Sequence, residues 1–152
     1  MDKNTALIEL SESERTRFWK ADFDKLTRPE QIFLLIWELE SEVNNGGFTQ
    51  YFMNSSGDNA MFAPDALREI GAPKMADIVH HAIVMYPNSP PSHDQDKRER
   101  DFDPIPEDER WGFFGELDDE FMAYPENLCE LLFEYVCKHR SQITGAEDFG
   151  LS

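Results

Sequence analysis

The chain has 152 residues, enough for one packed domain and short of two, and 31 Asp and Glu against 14 Lys and Arg set a formal net charge of −17. A field of that sign repels nucleic acid and anionic membranes and draws basic partners, which excludes direct nucleic-acid binding and membrane attachment from the expected functions. No apolar run approaches the ~18 residues a membrane span needs, and the opening MDKNTALIELSESER has no continuous apolar core of the signal-peptide kind, so a cytoplasmic setting is expected.

Residues 5–23 read as an amphipathic helix through Ala6, Leu7, Leu10, Phe18, Trp19 and Phe23, with Ser11 and Ser13 weakening its middle. Residues 1–24 are assigned to this N-terminal helix. Thr27-Arg28-Pro29-Glu30 is a helix start: Thr27 can cap the free N–H groups, Glu30 can reach back, and proline is tolerated in the first turn. Six apolar residues in a row, Ile32 to Trp37, follow. A helix carrying such a run is buried on most sides, so residues 29–45 are the expected central helix. Gly46 and Gly47 stop it. Phe48, Tyr51 and Phe52 then predict a short helix over 48–54 with its aromatic residues inward, and Asn54 to Asp58 a loop.

Pro64–Ile70, stopped by Gly71, and Pro73–Tyr86 predict two more helices. The pair superficially resembles a helix-turn-helix, but its second helix offers Lys74 and Asp77 and no arginine, which argues against a DNA reader. Residues 87–106 carry five prolines and read as a long loop with a helical turn near Asp94–Arg100. Trp111, Phe113, Phe114, Leu117 and Phe121 return the chain to the core. Pro125 opens a last helix with Leu128, Leu131, Leu132, Tyr135 and Val136 inward, and residues 144–152 are expected to fray. Cys129 and Cys137 are eight apart on that helix, about 12 Å at ~1.5 Å per residue, too far for a disulfide; buried free thiols are expected. No period-two strand and no repeat appears. The expected fold is all-α: a single domain over 1–152 with about six to eight helices.

Motifs for chemistry are few. His80 and His81 are adjacent and diverge by about 100° on a helix, unsuited to one metal. Counted from Asp94, an EF-hand loop would need glycine sixth and glutamate twelfth, where Glu99 and Ile105 stand. No phosphate loop, nucleophile elbow or Cys-x-x-Cys is present, so no catalytic residue, metal or cofactor is expected. Glu38 and Glu42, with Gln50 and Asn54, could form a pocket or metal site; the blander reading is that they satisfy the Asn-Asn-Gly-Gly turn and the loop beyond it.

The acidic run carries more weight. Between residues 101 and 130, Asp101, Asp103, Glu107, Asp108, Glu109, Glu116, Asp118, Asp119, Glu120, Glu126 and Glu130 stand against Arg110 alone. Unpaired carboxylates at that density repel one another, and a basic partner surface would give the charge a use. Carboxylates one helical turn apart lie ~5–6 Å apart, coarser than the ~3.4 Å phosphate repeat of a DNA strand but comparable with it.

The stretch PEQIFLLIWELESEVNNGGFTQYFMNSSGD resembles the signature of a bacterial family of small acidic helical proteins that includes a DNA mimic. The residues carrying the resemblance are Glu40, Glu42, Asn44, Asn45, Gly46, Gly47, Phe48, Gln50, Tyr51, Phe52, Asn54, Ser55, Gly57 and Asp58, with Ala66, Leu67, Ile70, Gly71 and Ala72 beyond them. It covers roughly residues 25–140. It implies a single all-α domain and a non-enzymatic role: binding a DNA-binding protein, such as a transcription factor, in place of operator DNA. An immunity-type inhibitor of a basic nuclease is the alternative, and a homodimer is compatible with either. The signature residues read as structural. The expected contact residues are the acids from Asp101 to Glu126.

Overall fold

The computed structural model describes residues 1–151. Among them the only regular elements are helices: α1 Lys3–Glu12, α2 Arg28–Met53, α3 Ala63–Glu69, α4 Pro73–Met85, α5 Gln95–Asp101, α6 Glu107–Arg110, α7 Gly115–Met122 and α8 Leu128–His139, with short 3-10 turns between them. The fold is all-α. The chain packs as two compact units, one of residues 1–34 with 127–152 and one of residues 35–126.

In the first unit α1 lies against α8. The helix expected over 5–23 is shorter than its periodicity suggested. Asp2 caps α1 by accepting from Thr5 N at 2.8 Å, but Ser13 is extended and ends the helix. Residues beyond it form turns, in which Phe18 is buried and stacks on Phe33 at 4.5 Å while Trp19 is mostly exposed. Serine competes for backbone hydrogen bonds, which explains the stop at a place where apolar spacing alone would continue.

The start of α2 is a capping box. Thr27 N donates to Glu30 Oε1 at 2.9 Å, and Glu30 N donates to Thr27 Oγ1 at 3.3 Å. Glu30 is fully buried and also accepts from Arg17, at 2.6 to 3.0 Å, and from Thr144 N at 3.1 Å. Burial works against its charge, but Arg17 and the two backbone donors outweigh it and hold the carboxyl below the usual glutamate range. The tail expected to fray over 144–152 is instead partly packed. Ala146 and Phe149 are buried, Phe149 meets Phe133 at 5.1 Å, and Arg140 Nε donates to Phe149 O. Cys129 and Cys137 form no disulfide among the described residues and are half-buried rather than buried.

The second unit is built around the remainder of α2. Leu35, Ile36, Leu39 and Val43 are buried, as are Phe48, Tyr51 and Phe52. Helical geometry breaks at Gly46 and Gly47, and α2 resumes in a new direction. Helix α3 packs on α4 and α4 on α7, and Phe48 of α2 meets Phe121 of α7 at 5.7 Å. Phe48, Phe52, Phe102, Phe114 and Phe121 form a continuous aromatic core with ring centroids 5.4 to 6.4 Å apart. Within the segment 87–106 the helical turn expected near Asp94–Arg100 is α5, capped by Asp94 and ending beside buried Phe102.

Candidate functional site

Two groups of residues stand out in the second unit, and they differ in kind. The first surrounds the break in α2. Gly47 has φ +75°, a left-handed conformation, and a Cβ there would lie 2.6 Å from an Asp118 carboxylate oxygen. The backbone turns here so that Phe48 N, a free donor at the restart of the helix, points at Asp118 Oδ1, 2.8 Å away. Burial holds the Asp118 carboxyl above the ordinary aspartate range, and Asp119 adds to that, while the Phe48 N–H opposes both. Gly47→Ala meets both the conformation and the contact, so it should cost about 2 kcal/mol, read as a lower melting temperature with the all-helical circular dichroism spectrum retained.

Around that turn the polar residues pair with one another. Glu42 Oε2 accepts from Gln50 Nε2 at 3.0 Å and from Asn54 Nδ2 at 2.8 Å. Asn44 Nδ2 donates to Tyr124 Oη at 2.7 Å, and Tyr124 donates to Glu40 Oε1 at 2.9 Å. Burial raises the Glu40 carboxyl to about 6, against the lowering effect of Tyr124. Asn45 is exposed and, with Asn44, Gly46, Gly47, Gln50, Trp111, Asp118, Asp119 and Met122, lines a shallow depression. Glu38 stands apart. It makes no hydrogen bond among the described residues, and burial first, then the charges of Asp58 and Glu42, push it up to about 7. The hydroxyl of Tyr51, fully buried, has no hydrogen-bond partner among the described residues.

Asp58 belongs to an arrangement the sequence did not disclose. Its Oδ1 accepts from Arg98 Nη2 at 2.6 Å. Arg98 is fully buried and also donates to Phe52 O at 2.6 Å, Ser92 O at 2.7 Å and Asn54 O at 2.8 Å. Gly57 is glycine because a Cβ there would meet Tyr51 O at 2.7 Å and Arg98 Nε at 3.1 Å. A charged residue in a polar, proline-flanked segment gives no sign of burial. The only hint was Phe102, four residues further on, just past the end of α5.

The second group is the acidic run. Of the ten carboxylates expected to make contacts, three are already engaged. Asp101 accepts from Tyr86 Oη at 2.7 Å, Asn88 Nδ2 at 3.2 Å and Lys97 Nζ at 3.3 Å. Burial opposes its charge, but these donors win and keep it below the aspartate range. Asp118 holds Phe48, and Glu126 Oε1 accepts from Met75 N at 2.8 Å in the first turn of α4. That narrows the expected set to Asp103, Glu107, Asp108, Glu109, Glu116, Asp119 and Glu120, all exposed and none in an ion pair among the described residues. Arg110, the one base in the run, spends its guanidinium on the carbonyls of Ile105 and Asp103. The helices account for the spacing: Glu107, Asp108 and Glu109 fill one turn of α6, and Glu116 and Glu120 stand one turn apart on α7, with Asp119 toward the depression on its other side. No group of three or more His, Cys, Asp or Glu placed to hold a metal ion occurs among the described residues, nor is any helix among them long and apolar enough to cross a membrane.

Compared with known protein families, residues 24–139 match the family described as DMP19-like protein. The chain belongs to that family. The match corrects the resemblance drawn from the sequence. What identifies the chain is agreement over residues 24–139 with the DMP19-like family, and the Asn-Asn-Gly-Gly signature on which the resemblance rested is not itself confirmed as the family's mark. No curated protein and no solved structure matches this DMP19-like chain.

Proposed function

We propose that this DMP19-like protein is a non-enzymatic DNA mimic that occupies the basic DNA-binding surface of a protein partner, such as a transcription factor, and excludes DNA from it. Membership of the DMP19-like family fits a DNA-mimic role in general. The observation that carries the reading for this chain is the set of seven exposed carboxylates on and around α6 and α7, unpaired among the described residues, while Arg110, the one base in that run, bonds to backbone carbonyls instead. The helices hold these charges in place, so a partner meets a preformed set of anions rather than a mobile tail. Long-range attraction of this kind speeds encounter and weakens as salt screens it.

The test is affinity capture from the native cell at low salt, followed by a salt gradient and identification of what elutes. A DNA-binding protein whose complex is displaced by its own DNA, and whose affinity falls steeply with salt, supports the reading; its identity separates a transcription factor from a nuclease. A partner with no DNA-binding surface, or a salt-insensitive complex, overturns it. In the triple variant Glu116→Gln, Asp119→Asn, Glu120→Gln, affinity for that partner should fall by about tenfold or more. The melting temperature should hold or rise, since the change relieves like-charge repulsion and removes no hydrogen bond.

A further inference from the structure

Helix α7 separates two surfaces. Asp118, Asp119 and Met122 line the depression beside the break in α2, whereas Glu116, Leu117 and Glu120 line a groove against the end of α4. The groove has a cavity volume of about 480 Å³. Its walls are Val84, Met85, Phe113, Phe114 and Leu117, with His81 and the two glutamates at its margin. Val84 is 63% and Met85 46% exposed, although α4 otherwise turns its apolar residues inward. DNA offers a protein no apolar groove of this sort, so a mimic of phosphate charge alone has no use for it.

We propose that this groove receives the apolar face of a basic amphipathic helix of the protein partner, two apolar side chains one turn apart seated between α4 and α7 with flanking lysines or arginines over Glu116 and Glu120. This rests on the reading of the acidic surface as a partner-binding surface. The volume lies within the range of sites that accept more than one side chain, and methionine at the wall adapts to different shapes. Charge complementarity selects the occupant. A second copy of this chain would bring another −17 against the same rim, whereas a basic helix meets Glu116 and Glu120 with the opposite sign. The groove thereby adds a contact that salt does not weaken to an attraction that salt does, and it discriminates among basic proteins that charge alone would treat alike.

Three synthetic peptides of equal length test this by fluorescence anisotropy with the intact chain: a leucine–lysine helix with its leucines on one face, the same composition scrambled so that no face forms, and oligolysine. The amphipathic helix should bind about tenfold or more tighter than the scrambled peptide, and the preference should persist as salt is raised. The double variant Val84→Ser, Met85→Ser alters exposed positions and should keep its melting temperature, lose that preference and bind oligolysine as before. Glu116→Gln with Glu120→Gln should weaken all three peptides and flatten their salt dependence. Equal binding of the amphipathic and scrambled peptides, or an unchanged preference in the serine variant, overturns the groove while leaving the acidic surface in place. Failure of every basic peptide to bind at low salt removes the acidic-surface reading itself, and the groove with it.

Discussion

Replacing Arg98 with alanine is expected to destabilise the protein by about 3–5 kcal/mol, the range for breaking a buried charged pair by deleting one partner. The guanidinium is fully buried and makes four hydrogen bonds of 2.6 to 2.8 Å, to Phe52 O, Ser92 O, Asn54 O and Asp58 Oδ1. Three of those acceptors are backbone carbonyls that the substitution would leave without this donor, and the fourth is a carboxylate left without its cation. Two of the carbonyls belong to the end of α2 and the turn beyond it, and the third to the segment before α5, so the side chain ties these stretches together alongside the bonds from Gln95 to Met53 O and between His93 and Asp58 O. For a chain of this length the melting temperature should drop by about 10 °C or more. Arg98→Lys should recover only part of the loss, because a single ammonium cannot reach a fork of acceptors fitted to a planar guanidinium. Urea denaturation of the three proteins checks this. A loss under about 1 kcal/mol in the alanine variant would mean that water replaces the guanidinium and that the site is not closed.

The contrast between Arg98 and Thr27 shows what could be read in advance. The capping box at Thr27 and Glu30, the buried run from Ile32 and the break at Gly46 and Gly47 depend on residues next to one another in the chain, so local rules reach them. Arg98 depends on carbonyls 44 and 46 positions away, and nothing in its neighbourhood encodes them. The acidic run divides along the same line. That it is acidic was plain, but which carboxylates remain on the surface was not. Asp101, Asp118 and Glu126 were drawn inward by donors on Tyr86, Phe48 and Met75, each at least 15 positions away in the chain. In the tail, Ile143, Ala146 and Phe149 recur every three residues and are buried, a helical-type spacing that outweighs the general tendency of chain ends to fray.

Glu38→Gln should raise stability at pH 8 by about 3 kcal/mol and leave it unchanged near pH 4.5. The carboxyl is pushed up to about 7, first by burial and then by the negative charges of Asp58 and Glu42. In the unfolded chain it titrates near 4.5. Below that pH both states hold the proton and the group contributes no difference. Between the two values the folded protein keeps a proton that the unfolded chain releases, so stability falls as pH rises through the window, by about 1.4 kcal/mol per unit of separation. Above about 7 the whole cost is present, and an uncharged amide removes it. The melting temperature of the variant should therefore exceed that of the parent by about 6–12 °C at pH 8, and the two should converge as the pH is lowered. Comparing variant with parent at each pH cancels the titration of the many other carboxylates. A constant difference across the range would show that Glu38 titrates as an ordinary surface group. The same variant separates scaffold from surface. At pH 8 it removes one negative charge from a position outside the seven exposed carboxylates, so a partner held by those carboxylates should bind it nearly as well as the parent, whereas a partner lost with Glu38 would place the binding site around Glu38, Glu42 and Asp58 instead.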